Sequence, residues 1–129
     1  MVDGARRRFV PITGGTVEGA RIHGRVANGG GDWQAIHDDG LTEIGARYTL
    51  IHDDGTAIGV FNPGVRVAAP AVIARLTAGE MVDPALYYFR TTPRFDVADG
   101  AHGWLRRQVF VGRGIRMPSE VILQIFAVG

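Results

Sequence analysis

Two copies of one tetrapeptide, His-Asp-Asp-Gly, at 37–40 and 52–55, frame what this chain can fold into. Each ends in Asp-Gly, a strong signal for a tight reversal. Gly accepts a positive φ without steric cost, and Asp hydrogen-bonds to its own turn. The segment between them, 41–51, has the length of one long strand. Residues 29–64 therefore predict three consecutive antiparallel strands. The two turns then sit at opposite ends of the joining strand, about 35 Å apart at about 3.3 Å per residue. Their two His and four Asp cannot share one ion, so no metal site is expected from the pair.

The rest of the chain reads the same way. Nineteen glycines are spread through it, which favours short strands and turns over long helices. Strands are expected at 7–12, 16–27, 32–37, 41–52, 56–62, 86–96, 104–111 and 121–128. Residues 62–64 (Asn-Pro-Gly) read as a turn, and 65–69 as an extended continuation. Residues 70–78 form the one good helix candidate, with Pro70 in its first turn and Gly79 behind it. The 129 residues make one domain, 1–129, with one core. Eight antiparallel strands must bury one face and hide their edges, and closure into a small up-and-down β-barrel does both. A two-sheet sandwich is the competing arrangement.

Composition removes several chemistries. The chain has no Cys and no Lys, and Ser119 is its one serine. Thiolate nucleophiles, Schiff-base lysines and Gly-Lys-Ser phosphate loops are excluded, and no Gly-x-Ser-x-Gly context surrounds Ser119. Catalysis must rest on Asp, Glu, His, Tyr, Thr or Arg, or on a bound metal; no cofactor is expected. The glycine-rich bend at 28–31 leads into no helical pattern, so it does not read as a phosphate cradle. Net charge is +1 and the one basic cluster is Arg6, Arg7 and Arg8, which reads as solvated rather than as a nucleic-acid face. No apolar run reaches the roughly 20 residues that span a bilayer. The start lacks the apolar segment of a secretion signal, which makes the cytoplasm the expected location.

Alternation along the strands picks out candidate site residues. On 41–52, one face carries Glu43, Gly45, Arg47, Thr49 and Ile51, and the other Ile44, Ala46, Tyr48, Leu50 and His52. Tyr88, Arg90 and Thr92 share a face, as do Trp104, Arg106, Gln108 and Phe110. Arginines mixed with aromatics on one face suit the inner wall of a ligand-holding barrel; arginines that face water and pair with Asp are the alternative. Asp32 follows three glycines and precedes Trp33. Buried there, its pKa would rise and it could move protons; paired with Arg47 it would stay ionised. The expected catalytic set is Asp32, Tyr88, Arg47 and Arg90, and the expected ligand contacts are Trp33, Glu43, Trp104, Arg106 and Phe110. His23, His37, His52 and His102 fall at strand ends or turns and read as solvated.

Several strings together resemble a known family. They are Pro-Ile-Thr-Gly-Gly-Thr at 11–16, Gly-Gly-Asp-Trp-Gln at 30–34, Ala-Arg-Tyr-Thr-Leu at 46–50, Asp-Asp-Gly at 53–55, Tyr-Phe-Arg-Thr-Thr-Pro-Arg-Phe at 88–95, and Trp104-Leu105 with Phe-Val-Gly at 110–112. In this order they resemble domain of unknown function 3237, also described as uncharacterised protein family 0311. The resemblance implies a small antiparallel barrel similar to those of lipocalins and allene oxide cyclase. Members usually carry another strand before the Arg-Arg segment, which implies a barrel open at that place or covered by a partner subunit. Members often have Asp at the position of Gly45 and Asn at that of Arg106, which implies an anionic or carbonyl-bearing ligand here.

Three functions follow as expectations. The first is a cofactor-free lyase, isomerase or cyclase acting on a small aromatic or polyketide-like molecule. The second is a carrier or sensor with the same pocket but no turnover. The third is an oligomeric structural module. A homodimer or higher homo-oligomer is expected, with a small-molecule ligand as the other partner.

Overall fold

A computed structural model describes residues 5–129. The first four residues, which the single-domain and leader readings include, lie outside it. Ten strands and one helix follow in order: β1 (Arg6–Ile12), β2 (Gly15–Val17), β3 (Gly24–Val26), β4 (Gly30–Ile36), β5 (Leu41–His52), β6 (Ala57–Ala68), α1 (Pro70–Thr77), β7 (Tyr87–Thr91), β8 (Arg94–Asp96), β9 (Val109–Arg116) and β10 (Val121–Val128). All pairings are antiparallel within one sheet, ordered β1-β4-β5-β6-β7-β9-β10, with β2–β3 laid beside β5 and β8 beside β6. The fold is barrel-like, but β1 and β10 do not pair, so the sheet curls without closing.

The β5–β6 hairpin is the spine. It pairs from Leu41↔Val67 to Ile51↔Ala57, and the second Asp-Asp-Gly turn closes it. Both Asp-Gly reversals form as the sequence predicts. Gly40 and Gly55 take φ of 96° and 91°, and Asp39 and Asp54 each accept a hydrogen bond from the amide two residues on.

Because opposed residues in an antiparallel pair share a face, the register defines an inner surface. Two apolar clusters fill it. One gathers Ile44, Tyr87 and Phe89 with Ile73 and Leu76 of α1. The other joins Leu50 of β5, Ile58 and Val60 of β6 and Phe110 of β9. Strands β5 and β9 are not neighbours in the sheet, so their meeting is the curl itself.

Four sequence expectations are corrected. The strand expected at 16–27 is two short strands, β2 and β3, because 18–23 is a polar, glycine-containing loop without strand alternation. The turn expected at 62–64 is the middle of β6. Pro63 is tolerated there because it sits where the neighbouring strand changes from β8 to β7, and its carbonyl accepts the Thr92 amide at 2.9 Å. The strand expected at 86–96 breaks at Thr92-Pro93 into β7 and β8. Trp104 lies not in a strand but in a 3-10 turn, Gly103–Arg106, whose Leu105 is anchored in the second cluster.

Candidate functional site

The alternation that builds the core sends most of the expected site residues outward. Ala46 and Tyr48 belong to the inner face of β5, so Arg47 between them points out, its guanidinium 4.1 Å over the Phe61 ring. It borders a surface hollow of about 560 Å³ with Arg94 and Asp96. Tyr88 and Arg90 flank the buried Phe89 and face outward together, with Arg90 5.0 Å over the Tyr88 ring; Tyr88 is 53% exposed. Trp33 is 54% exposed against Phe9, and shares a second hollow of about 520 Å³ with Glu43. Arg106 lies on the surface, bonded to Asp99 at 3.0 Å, and adds no cation to an interior. Trp104 stacks under Arg21, and Phe110 is core rather than pocket wall. The expected inner wall of Arg47, Arg90 and Arg106 is therefore not formed: flanking apolar residues took the inward positions beside Arg47 and Arg90, and Arg106 lies in a 3-10 turn.

Asp32 is the expected polar residue that stays inside. It opposes Ala46 on the inner face, while Trp33 occupies the other side, so the two do not form one site. Nor is Asp32 paired with Arg47. Its Oδ2 accepts a hydrogen bond from Gln34 Nε2 at 2.8 Å. Burial raises its pKa, opposed by the Gln34 bond, a backbone bond from Gly45, and the charges of Arg66 and Arg8.

Around Asp32 the inner face carries a polar belt that the sequence reading missed. Along β6 the inward positions run Ile58, Val60, Asn62, Gly64, Arg66 and Ala68. Asn62 is 2% exposed and Arg66 5% exposed. Arg66 opposes Thr42 on β5 and Phe89 on β7; Gly64 opposes Ile44, itself opposite Gln34, and Thr91. Six polar atoms of this belt are buried without a hydrogen-bond partner: Asp32 Oδ1, Gln34 Oε1, Thr42 Oγ1, Asn62 Oδ1, Arg66 Nε and Thr91 Oγ1. Tyr48 borders the belt; burial pushes its phenol up to about 12, opposed by a hydrogen bond from Asn62, so it stays protonated. The signal for this belt was present, since Asn62 and Arg66 keep the parity of Ile58 and Val60. The turn expected at 62–64 hid it.

A second cluster lies at the far end of β5. The rings of His23, His52 and His102 form a tilted row, with centroids 4.5 and 4.4 Å apart. Asp53 meets His23 Nδ1, and Asp54 meets His102 Nε2, both at 2.7 Å. His52 and His102 are buried, not solvated as expected. His52, Asp54 and His102 bring ligand-type atoms within 4.8 Å of one another. However, His52 Nδ1 already accepts the His23 amide at 3.2 Å, which puts the proton of a neutral His52 on Nε2. That ring then presents no free lone pair, and the cluster is a hydrogen-bonded clasp rather than a set of free ligands. The first tetrapeptide builds a simpler surface pair, His37 with Glu43 at 2.7 Å.

Comparison with known proteins places this fold. The family model described as protein of unknown function DUF3237 matches residues 2–128. The chain belongs to the DUF3237 family. It is 38% identical over 123 residues to the UPF0311 protein of Clostridium acetobutylicum, covering 95% of this chain and 78% of that one. A crystal structure of a conserved protein of unknown function from Rhodopseudomonas palustris matches with a TM-score of 0.92 at 38% identity, covering 95% of this chain and 83% of that one. A β-barrel-like protein from Acinetobacter baumannii matches at 0.84 and 38% identity, covering 98% and 81%. DUF3237 thus supplies the fold, and the chemistry has to be argued from the belt.

Proposed function

We propose that this DUF3237 protein binds a small molecule on the inner face of its curled sheet, and that Asp32 exchanges a proton with it. The observation that supports the reading is the set of six buried, unpartnered polar atoms on one face. Buried polar atoms are nearly always hydrogen-bonded, so a group of them between two apolar clusters marks ligand chemistry. Asp32 supplies the proton-transfer group, since burial brings its pKa towards the range where a carboxyl can act as acid or base. Asn62, Thr42 and Thr91 orient polar substituents, and the Tyr48 and Phe89 rings suit a partly aromatic or polyketide-like skeleton. The reaction class is a lyase, isomerase or cyclase step, which a single proton-transfer carboxyl serves without a redox group.

The test is a thermal-shift screen against small aromatic acids, lactones and polyketide fragments, followed by product analysis for each hit. A binder raises the melting temperature by mass action. Asp32→Asn is expected to keep the fold and lower turnover by about 10²–10⁴-fold, the usual size of a general acid–base contribution. Full turnover in that variant ends the assignment to Asp32.

A further inference from the structure

We propose that the ligand of the inner belt is an anion, a carboxylate or a comparable organic oxyacid, and that Arg66 is the residue that holds it. This rests on the pocket reading above and adds a charge to it. Arg66 is 5% exposed, yet among the described residues it makes no ion pair with any carboxylate. A charged side chain is almost never buried this deeply unless it is paired. Its Nε has no acceptor, and its guanidinium lies 5.7 Å from the Phe89 ring. The remaining charges add to the imbalance. Arg8 and Arg116 repel Arg66, while Asp32 is the one carboxylate among the described residues that attracts it. Three guanidiniums thus answer to one carboxyl whose own ionisation is opposed by burial.

The unpartnered atoms agree with that charge. Thr42 lies directly across β5–β6 from Arg66, and Thr91 lies one strand over on the same face. Both hydroxyls are buried and unpartnered, so two neutral donors accompany the Arg66 Nε–H. An oxyanion seated there takes hydrogen bonds from a charged donor, the stronger kind, and cancels the excess positive charge. The Asp32, Gln34 and Asn62 oxygens remain as acceptors for a hydroxyl or amine elsewhere on the same molecule.

Matched probes test this at constant ionic strength: benzoate and phenylacetate against benzamide and phenylacetamide, read by thermal shift and calorimetry. The carboxylates are expected to raise the melting temperature and the amides to be at least tenfold weaker. Arg66→Met should abolish that preference and, with no probe added, melt higher than the natural protein. Arg66→Lys keeps the charge and should keep a weakened preference, which covers the case in which the Met variant fails to fold. Equal response to both probe sets, or a preference surviving in Arg66→Met, overturns the anion and leaves the pocket standing. Silence to all four probes overturns the pocket and the anion together.

An independent observation on the opposite surface carries a second proposal. We infer that the outer face of β7, β9 and β10, with the free edge of β10, is where a second copy of this chain docks. Val109 pairs with Val128, Val111 with Phe126, and Ile122 and Tyr88 extend the same face; all six are exposed. β10 itself, Val-Ile-Leu-Gln-Ile-Phe-Ala-Val, has no charge and no Pro, which are the usual protections of an edge strand. The other edge, β1, carries three arginines and Pro11. Two uncharged β10 edges can meet about a twofold axis without opposing like charges, since Arg90 and Arg113 of the same face lie back from that edge on β7 and β9. Light scattering at about 100 µM should give twice the monomer mass, and Phe126→Glu should restore the monomer. A monomeric natural protein, or a dimer unchanged in Phe126→Glu, overturns the interface.

Discussion

Asp32 and Arg66 show that a residue's role here follows from which side of a strand it occupies. Asp32 has a pKa above the unfolded value of 3.8, chiefly through burial. The folded state therefore holds that proton more tightly than the unfolded chain. Below the unfolded value both states are protonated and the group is neutral in effect. As pH rises through the folded value the ionised carboxylate destabilises the fold, and that cost is fully present above it. Asp32→Asn should accordingly melt higher than the natural protein at pH 7 and converge with it near pH 3, a difference that melting curves across pH will show. Asp54 has the opposite sign. The His102 hydrogen bond, helped by the Thr56 amide, holds its carboxyl well below the usual range. Its contribution is present above about pH 4 and is lost as pH falls through the low folded value. Asp54→Asn should lower the melting temperature at pH 7 and flatten the loss of stability in acid.

Among the elements, the two Asp-Gly turns share a sequence and differ in surroundings. Gly40 and Gly55 both have left-handed φ, so Ala at either costs about 1–2 kcal/mol in backbone strain. At Gly55 the added methyl meets open space, whereas at Gly40 it runs into the Ala68 carbonyl. Urea unfolding should find Gly40→Ala at least twice as destabilising as Gly55→Ala, with similar m-values. Strand continuity shows the same dependence on neighbours. Pro63 ends no strand because no hydrogen-bond donor is required where β8 gives way to β7, while Pro93 falls in the break between β7 and β8 itself.

At the scale of the whole molecule, the sheet curls far enough to bring β5 and β9 into one core but leaves β1 and β10 unpaired. A half-closed sheet keeps two apolar clusters dry and leaves its last strand uncovered. If a second copy covers that strand, association and folding are linked, and the melting temperature should rise with protein concentration. Phe126→Glu should remove that dependence, which differential scanning calorimetry at two or more concentrations checks.

The sequence alone determined the antiparallel strands, the two Asp-Gly reversals, the short helix after Pro70 and the family. These depend on local chemistry: positive φ at Gly, the fixed φ of Pro, and period-two alternation. The parity of each strand was readable as well, since Arg47 alternates against Ile44, Ala46 and Leu50. What alternation could not say is which parity faces the core, because that depends on which neighbours bury it. Tertiary structure decided that the inner belt is Asp32, Gln34, Thr42, Asn62, Arg66 and Thr91, and that Arg47, Tyr88 and Arg90 face out. It also drew His23, His52 and His102 into one row of touching rings from three distant segments. The curl of the sheet made both choices, because it enclosed whichever face carried more apolar side chains and took the polar residues of that parity inside with them.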